Sequence, residues 1–323
     1  MKEAGSQMAM TDQTPPAAAG KRPRRWHIPL LLAPAAIIYT LVMIWPLIDS
    51  LRLSFYDEGE PGQRIFVGLA NYRALFGSDL WWGQFWNALV NNFEFFAIHM
   101  LVQNPVGIAL AAILSLPTLR GKTVYRTIFF IPAVLSYVIV GFVWRLILSP
   151  TWGIAPDLLG RIGLGFLYQP WLGQTDTALI TLSLISVWQF IGIPMMLIYA
   201  ALLSIPDELI EAAECDGITG VAQFFKIKLP LLWPSIGIIS ILTFVGNFNA
   251  FDLVYVTQGP FAAPDGSTDL LGTFLFRTFF GSTSQLGDPY MGATIATAMF
   301  GIIVIGVLLY LFGIQRRLTY YQM

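Results

Sequence analysis

The chain has 323 residues, 56% of them hydrophobic and 11% charged, with a mean hydropathy of +0.66. Soluble domains carry about 25% charged residues, so there is too little charge here to coat a globule, and lipid must be part of the solvent. The net charge of −1 argues against a nucleic-acid partner, the single cysteine (Cys215) excludes an intramolecular disulfide framework, and two histidines, His27 and His99, leave little for metal chemistry.

Residues 1–25 have no apolar run and gather their charge in Lys21, Arg22, Arg24 and Arg25, the composition of a flexible tail. The apolar run that follows ends in WPLIDSL without a small-residue cleavage site, so it reads as an uncleaved first transmembrane helix. A membrane helix needs roughly twenty apolar residues. Six segments meet that length, at about 28–48, 93–116, 127–148, 178–203, 231–252 and 292–314. The expected fold class is therefore an all-α membrane protein of six transmembrane helices.

Cytoplasmic flanks of membrane helices are enriched in lysine and arginine. With the N-terminus inside, twelve of the eighteen basic residues fall inside and six outside, which predicts both ends in the cytoplasm. Trp45, Trp81, Trp82, Trp86, Trp144, Trp152 and Trp171 then sit at or beyond the outer ends, at the depth amphipathic rings prefer. WWGQFW (81–86) reads either as a short helix on the outer surface or as a packed extracytoplasmic loop.

Between the fourth and fifth segments the chain reads SIPDELIEAAECDGITGVAQFFKIKLPLL (204–232). Ser204 or Ile205 is expected to cap a helix that has Pro206 in its first turn and Asp207 and Glu208 at the positive end of its dipole. Gly217 suits a left-handed residue that ends this helix. Thr219 is expected to cap a second short helix through Phe225, with Lys226 and Lys228 marking the entry to the fifth span. Ala212 and Ala213 offer a small-residue face that a partner could approach closely.

Physics alone allows this stretch to be a plain connector. Its residues, however, match a known pattern: Glu211-Ala212-Ala213, three residues, Gly217, nine residues, then Ile227, Leu229 and Pro230, with Asp216 before the glycine. The stretch resembles the cytoplasmic loop of binding-protein-dependent ABC importer permeases of the carbohydrate-uptake family. VGLANYRALF (67–76), residues 125–148, YMGATIATAMF (290–300) and the ending FGIQRRLTYY extend the resemblance, the last toward the larger maltose-type permease subunit. One departure is Thr257-Gln258-Gly259-Pro260, with one glycine fewer than the family's usual turn.

The resemblance implies a transmembrane domain over 26–323 with a coupling loop at 204–230, in a multi-pass protein of a bacterial or archaeal cytoplasmic (inner) membrane. It implies that Glu211, Ala212, Ala213, Asp216 and Gly217 dock on an ATP-binding cassette ATPase dimer. ATP and magnesium would bind on that partner, with no cofactor and no catalysis in this chain. The other implied partners are a second permease subunit, an extracytoplasmic solute-binding protein and a sugar-like solute. Gly121-Lys122-Thr123 lacks the glycine five positions earlier that a phosphate loop needs and reads as a cytoplasmic turn.

Polar groups inside apolar spans are costly and invite a functional hypothesis. Thr243 lies one turn from Asn247 on one helix face, Asn249 follows, and neutral donors and acceptors of this kind suit sugar hydroxyls. The resemblance puts sugar contacts at positions matching Thr243 and Asn247; bonds to neighbouring helices are the alternative for the same groups. Trp188 and Gln189 are further path candidates, Trp188 by stacking on a sugar ring or by packing between helices. Pro194 is expected to kink the fourth span. His99 reads as a packed, hydrogen-bonded histidine and Glu94 as an interfacial residue. Two other functions carry signatures of their own. An ion-coupled secondary transporter predicts buried carboxylates or inverted repeats, and a membrane-embedded enzyme predicts an acid/base or metal constellation; the spans show neither pattern clearly.

Overall fold

The computed structural model describes residues 27–60, 62–282 and 286–315; the expected tail lies outside them. The chain divides into two units, Met1–Ile48 and Asp49–Met323. Four helices are long and apolar enough to cross a membrane, and two bent pairs raise the number to six if each pair is one span.

The first unit is described from His27, and its helix belongs to α1 (Leu30–Leu53). It relaxes into a π turn at Thr40–Ile44, following Pro34. Its side chains are exposed, Leu31 at 77% and Trp45 at 67%.

In the second unit a short hairpin, β1 (Tyr56–Glu58) with β2 (Arg64–Phe66), pairs Tyr56 with Phe66. No strand was expected from the sequence. Asn71 on α2 (Ala70–Gly77) donates to the carbonyls of Ser54 and Tyr56 at 3.1 and 2.8 Å, holding the strand's base. Next comes α3 (Asp79–Ser115), 37 residues long with a π turn at His99–Gln103. At 1.5 Å per residue it is roughly 55 Å long, well beyond a hydrocarbon core of about 30 Å. WWGQFW is therefore the first part of this continuous helix, neither a separate surface helix nor a loop. Ser78 starts it by accepting from the Trp81 amide.

The expected third span is broken. The helices α4 (Lys122–Val134) and α5 (Tyr137–Ile147) meet at 99°. Pro132 lies in the last turn of α4, and Ser136 opens α5 by accepting from the Ile139 amide. Helix α6 (Ile154–Arg161) follows. The fourth span is also bent, by 42°, between α7 (Thr175–Phe190) and α8 (Gly192–Leu203). Here the expected proline effect is present: Pro194 has no amide to donate, and its ring opposes the Phe190 carbonyl four residues back. A Cβ on Gly192 would come within 2.6 Å of the Phe129 carbonyl oxygen, so glycine lets α8 touch α4.

The helix after Ser204 is α9 (Asp207–Cys215), and Pro206, not Ser204 or Ile205, occupies its N-cap. Ser204 instead closes α8, its hydroxyl bonded to the Ala201 carbonyl. After Gly217 the chain does not make an isolated short helix. It forms α10 (Gly220–Gln223), a π turn (Phe224–Lys228) and a further turn (Leu229–Leu231) that lead directly to α11 (Trp233–Phe248).

Two helices lie where the sequence offered only a connection: α12 (Asp252–Gln258) and α13 (Leu271–Phe280). The second is apolar but, at 10 residues, too short to register as a span. It is fixed by a buried ion pair, Arg277 Nη2 to Asp269 Oδ2 at 2.7 Å, and Thr273 Oγ1 donates to Asp269 Oδ1. Residues of α3 grip the same segment: Asn91 donates to the carbonyls of Ser267 and Asp269, and Asn92 accepts from the Leu271 amide. The last described helix is α14 (Pro289–Tyr310), capped by Asp288.

Three apolar clusters hold this unit. One joins α2, α3, α11, α13 and α14 through Leu75, Phe85, Phe248, Phe274 and Ile295. A second joins α3, α5, α7 and α12 through Phe95, Val140, Leu182 and Val254. The third joins α3, α8 and α11 through Ala111, Met195, Ile198 and Ile239. Helix α3 contributes to all three, which makes it the central post of the bundle.

Candidate functional site

Where α3, α7, α8 and α11 converge they enclose a cavity of about 370 Å3. Its polar lining comes from His99 and Gln103 on α3, Ser186 on α7, Thr243 and Asn247 on α11, and Asn249 and Asp252 at the break before α12. Tyr137, Phe190 and Phe251 supply aromatic walls. The three α11-derived candidates named from the sequence are thus brought together.

Most of these groups are already partnered. Thr243 and Asn104 bond reciprocally, with the Asn104 amide donating at 3.2 Å and the Thr243 hydroxyl donating back at 3.3 Å. Asn247 donates to the Thr243 carbonyl at 2.6 Å, and its own carbonyl accepts from Asn92 at 2.9 Å. Asn249 is exposed and donates to the Val245 carbonyl. His99 is buried between the Phe95 carbonyl (Nδ1, 2.7 Å) and the Ser186 hydroxyl (Nε2, 3.0 Å). A carbonyl can only accept, so Nδ1 carries the proton and Nε2 of the neutral ring accepts from Ser186. The reading of His99 as a packed, bonded side chain therefore holds. Gln103 Oε1 is buried without a partner.

Trp188 and Gln189 are not in this lining. Trp188 stands edge-on to Trp144, ring centres 5.5 Å apart, which is packing between α7 and α5. Gln189 is 1% exposed and donates to the Leu135 carbonyl at 3.1 Å, while its Oε1 has no partner. It braces the 99° bend. Sequence reasoning missed Gln103, Asn104 and Ser186 as members of the polar cluster. Phe95, His99 and Gln103 recur every four residues on α3, so their shared face was open to a periodicity argument.

The second region is the 204–232 loop. Glu211, Ala212, Asp216 and Gly217 are exposed. Ala213 is not: at 5% exposure it packs inside this chain, so the small outward face consists of Ala212 and Gly217 rather than both alanines. Gly217 has φ of +76°. The Ile218 amide reaches the Ala213 carbonyl (2.8 Å) and the Gly217 amide the Glu214 carbonyl (3.0 Å), the paired bonds of a Schellman ending. Gln223 is buried and donates to the Ile210 carbonyl at 3.5 Å. Leu209, Val221 and Phe225 are exposed at 46%, 75% and 60%.

The cavity lining has neutral amides and hydroxyls, one carboxylate (Asp252) and no lysine or arginine. It can hydrogen-bond an uncharged polar solute but offers nothing to neutralise an anion. Among the described residues, no group of three or more histidine, cysteine, aspartate or glutamate side chains could hold a metal ion.

Comparison with known proteins agrees with this architecture. Residues 103–319 match the family described as binding-protein-dependent transport system inner membrane component. The chain is 32% identical to the probable ABC transporter permease protein YurN of Bacillus subtilis, over 78% of this chain and 85% of that one. It is 28% identical to the probable starch degradation products transport system permease protein AmyD of Thermoanaerobacterium thermosulfurigenes, over 89% and 94%. Its fold resembles a chain of the bacterial alginate ABC transporter solved with an alginate pentasaccharide-bound periplasmic protein, with a TM-score of 0.72, 23% identity and coverage of 89% and 92%. The chain therefore belongs to the binding-protein-dependent transport system inner membrane component family, the permease subunits of ABC importers.

Proposed function

We propose that this chain forms half of the translocation path for a sugar or related polyhydroxy solute, the other half coming from a second permease subunit. The observation that carries this reading is the cavity beside Thr243, Asn247 and Asn249, whose polar lining is neutral donors and acceptors apart from Asp252, with aromatic walls. Relatives named for starch products and alginate support the same solute class. An extracytoplasmic solute-binding protein delivers the solute.

The bent pairs count as one span each, giving six spans with both ends in the cytoplasm of a bacterial or archaeal cell. The twelve-to-six split of basic residues supports that orientation. Residues 26–323 form the transmembrane domain, preceded by the tail 1–25. The 204–230 loop is then cytoplasmic, and α9 seats in a groove of an ATP-binding cassette ATPase. ATP and magnesium bind on that partner, and this chain hydrolyses nothing. Glu211, Ala212, Asp216 and Gly217 face the groove, while Ala213 anchors α9 from behind. The exposed apolar side chains Leu209, Val221 and Phe225 add burial on docking. Cys215, exposed on α9, is the native reporter of orientation: a membrane-impermeant maleimide that labels it in intact cells overturns the topology.

The path is tested at Asn247. Asn247→Leu removes an amide from the cavity wall, and one lost hydrogen bond of about 1 kcal/mol corresponds to roughly fivefold in affinity. Uptake of labelled oligosaccharides by the reconstituted importer is expected to weaken by at least that factor, with ATPase assembly intact. Unchanged affinity, rate and selectivity across a solute panel would remove Asn247 from the path.

A further inference from the structure

Helix α11 has two unlike faces. Leu242, Thr243 and Asn247 look into the cavity described above. Trp233, Ser240, Ile241 and Phe244 line a second, larger space of about 740 Å3, shared with α3 and α14. At 3.6 residues per turn the two sets are centred roughly 120° apart around the helix, with Ser240 and Asn247, seven residues apart, on the edge between them.

The groove is apolar along its length. Ser240 is spent on the Ile236 carbonyl at 2.9 Å, and the other polar atoms in the lining belong to the amphipathic side chains Trp233 and Tyr310. Gly237 and Gly306 keep the walls low. From Trp233 to Phe244 the groove runs about 16 Å along α11, about half of a hydrocarbon core of roughly 30 Å. That is the depth of a single leaflet. Trp233, Tyr310 and Pro230 mark one end, and just beyond Pro230 the π turn carries Lys226 and Lys228. Neither lysine has an ion-pair or hydrogen-bond partner among the described residues.

We propose that this groove binds one anionic phospholipid, an acyl chain lying along α11 between α3 and α14 and the phosphate held by Lys226, which precedes the end-lining residues Pro230 and Trp233 by four and seven positions. Depth, apolar walls, interfacial aromatics and the free cation Lys226 at one end together select a lipid over a water-soluble ligand. Only the choice of leaflet, the inner one, rests on the proposed orientation; the site itself stands whether or not Asn247 contacts solute.

The whole importer, purified in mild detergent from mixed phosphatidylglycerol and phosphatidylethanolamine, is the object of the test, with retained lipid counted by native mass spectrometry. Wild type is expected to retain phosphatidylglycerol preferentially. Lys226→Gln, at an exposed position, should lower that preference about fivefold or more, since a basic residue near an anionic headgroup contributes on the order of 1 kcal/mol, and Lys228→Gln, half-buried and two residues on, should lower it less. Ser240→Trp, which fills the groove, should remove the retained lipid of either class. A photo-crosslinker at Ile241 should capture lipid. Equal retention of the two lipids by wild type, retention unchanged in the variants, or crosslinking of Ile241 to the second permease or to residues 27–48 would each overturn the proposal.

Discussion

The 204–232 loop and the 259–282 segment are both irregular stretches between apolar helices, and they are built in opposite ways. The loop closes its helix with bonds between residues no more than five apart, such as Ile218 to Ala213, and its charged side chains are exposed except for the half-buried Lys228. The 259–282 segment is held by side chains 178 and 193 residues away, Asn91 and Gln84, around a buried ion pair. The loop is organised to be touched from outside the chain. The other segment is organised to be rigid within it. The same types of residue therefore carry different energies in the two places.

The largest effect is expected at Asp269. Arg277 is enclosed by Asp269, Gln84 and the Pro260 carbonyl. Asp269→Ala leaves its charge buried without a counter-ion, a loss on the order of 3–5 kcal/mol. Thermal unfolding of the purified importer, followed by loss of the monodisperse complex, should shift strongly downward. The double variant Asp269→Leu with Arg277→Met removes both charges and should recover more than half of the shift. Equal damage from the single and double variants would mean that packing, not uncompensated charge, holds the segment.

A smaller and more selective effect is expected at Gly217. Its φ of +76° is a left-handed conformation that costs a branched residue about 1–2 kcal/mol. No atom of this chain lies within 4 Å of a Cβ placed there. Both variants meet the left-handed backbone with no internal clash at Cβ, and valine adds local strain because its branched Cβ tolerates positive φ worst, a cost read as lower stability of the inserted chain; loss of coupling at unchanged stability reports bulk outside the chain. Gly217→Ala should leave much of the solute-stimulated ATPase activity and transport, and Gly217→Val should abolish their coupling while the protein still inserts. Identical behaviour of the two variants would show that no partner surface approaches this position.

The contrast also explains what could be read from the sequence. The left-handed glycine, the acidic first turn of α9 and the proline bend at Pro194 are local, set by residues within one or two turns. The cluster of Thr243, Asn247 and Asn249 was visible because all three sit in or directly after one apolar run. Bonds across the bundle were not visible. Nothing near Asn92 in sequence announces that it bridges the Leu271 amide and the Asn247 carbonyl, and nothing near Gln189 shows that it braces Leu135. The 99° bend was missed because residues 127–148 read as one largely apolar run and hydropathy records solvent, not direction; Pro132 and Ser136 were the local signals of the break. Ala213 was assigned to the wrong face because periodicity fixes which residues share a side of a helix and not which side the rest of the chain covers.

The smallest effect sharpens the same comparison with a second ion pair. Arg161 and Asp157 lie four residues apart on α6, 3.0 Å from each other, with side chains 78% and 71% exposed. The separation is close to the 2.7 Å of Arg277 and Asp269, and the chemistry is the same guanidinium and carboxylate. Water solvates both charges on α6 before and after the bond breaks, so removing one partner strands nothing. Asp157→Ala should cost no more than about 0.5 kcal/mol, move the thermal transition of the complex by an amount near the scatter of the measurement, and leave transport unchanged. Raising the salt concentration should erase even that difference, because exposed charges are screened over roughly 10 Å at 0.1 M, while the Asp269→Ala shift should persist. If Asp157→Ala proved as damaging as Asp269→Ala, α6 would have to be covered by another subunit in the assembled importer, and burial within this chain would no longer separate the two pairs.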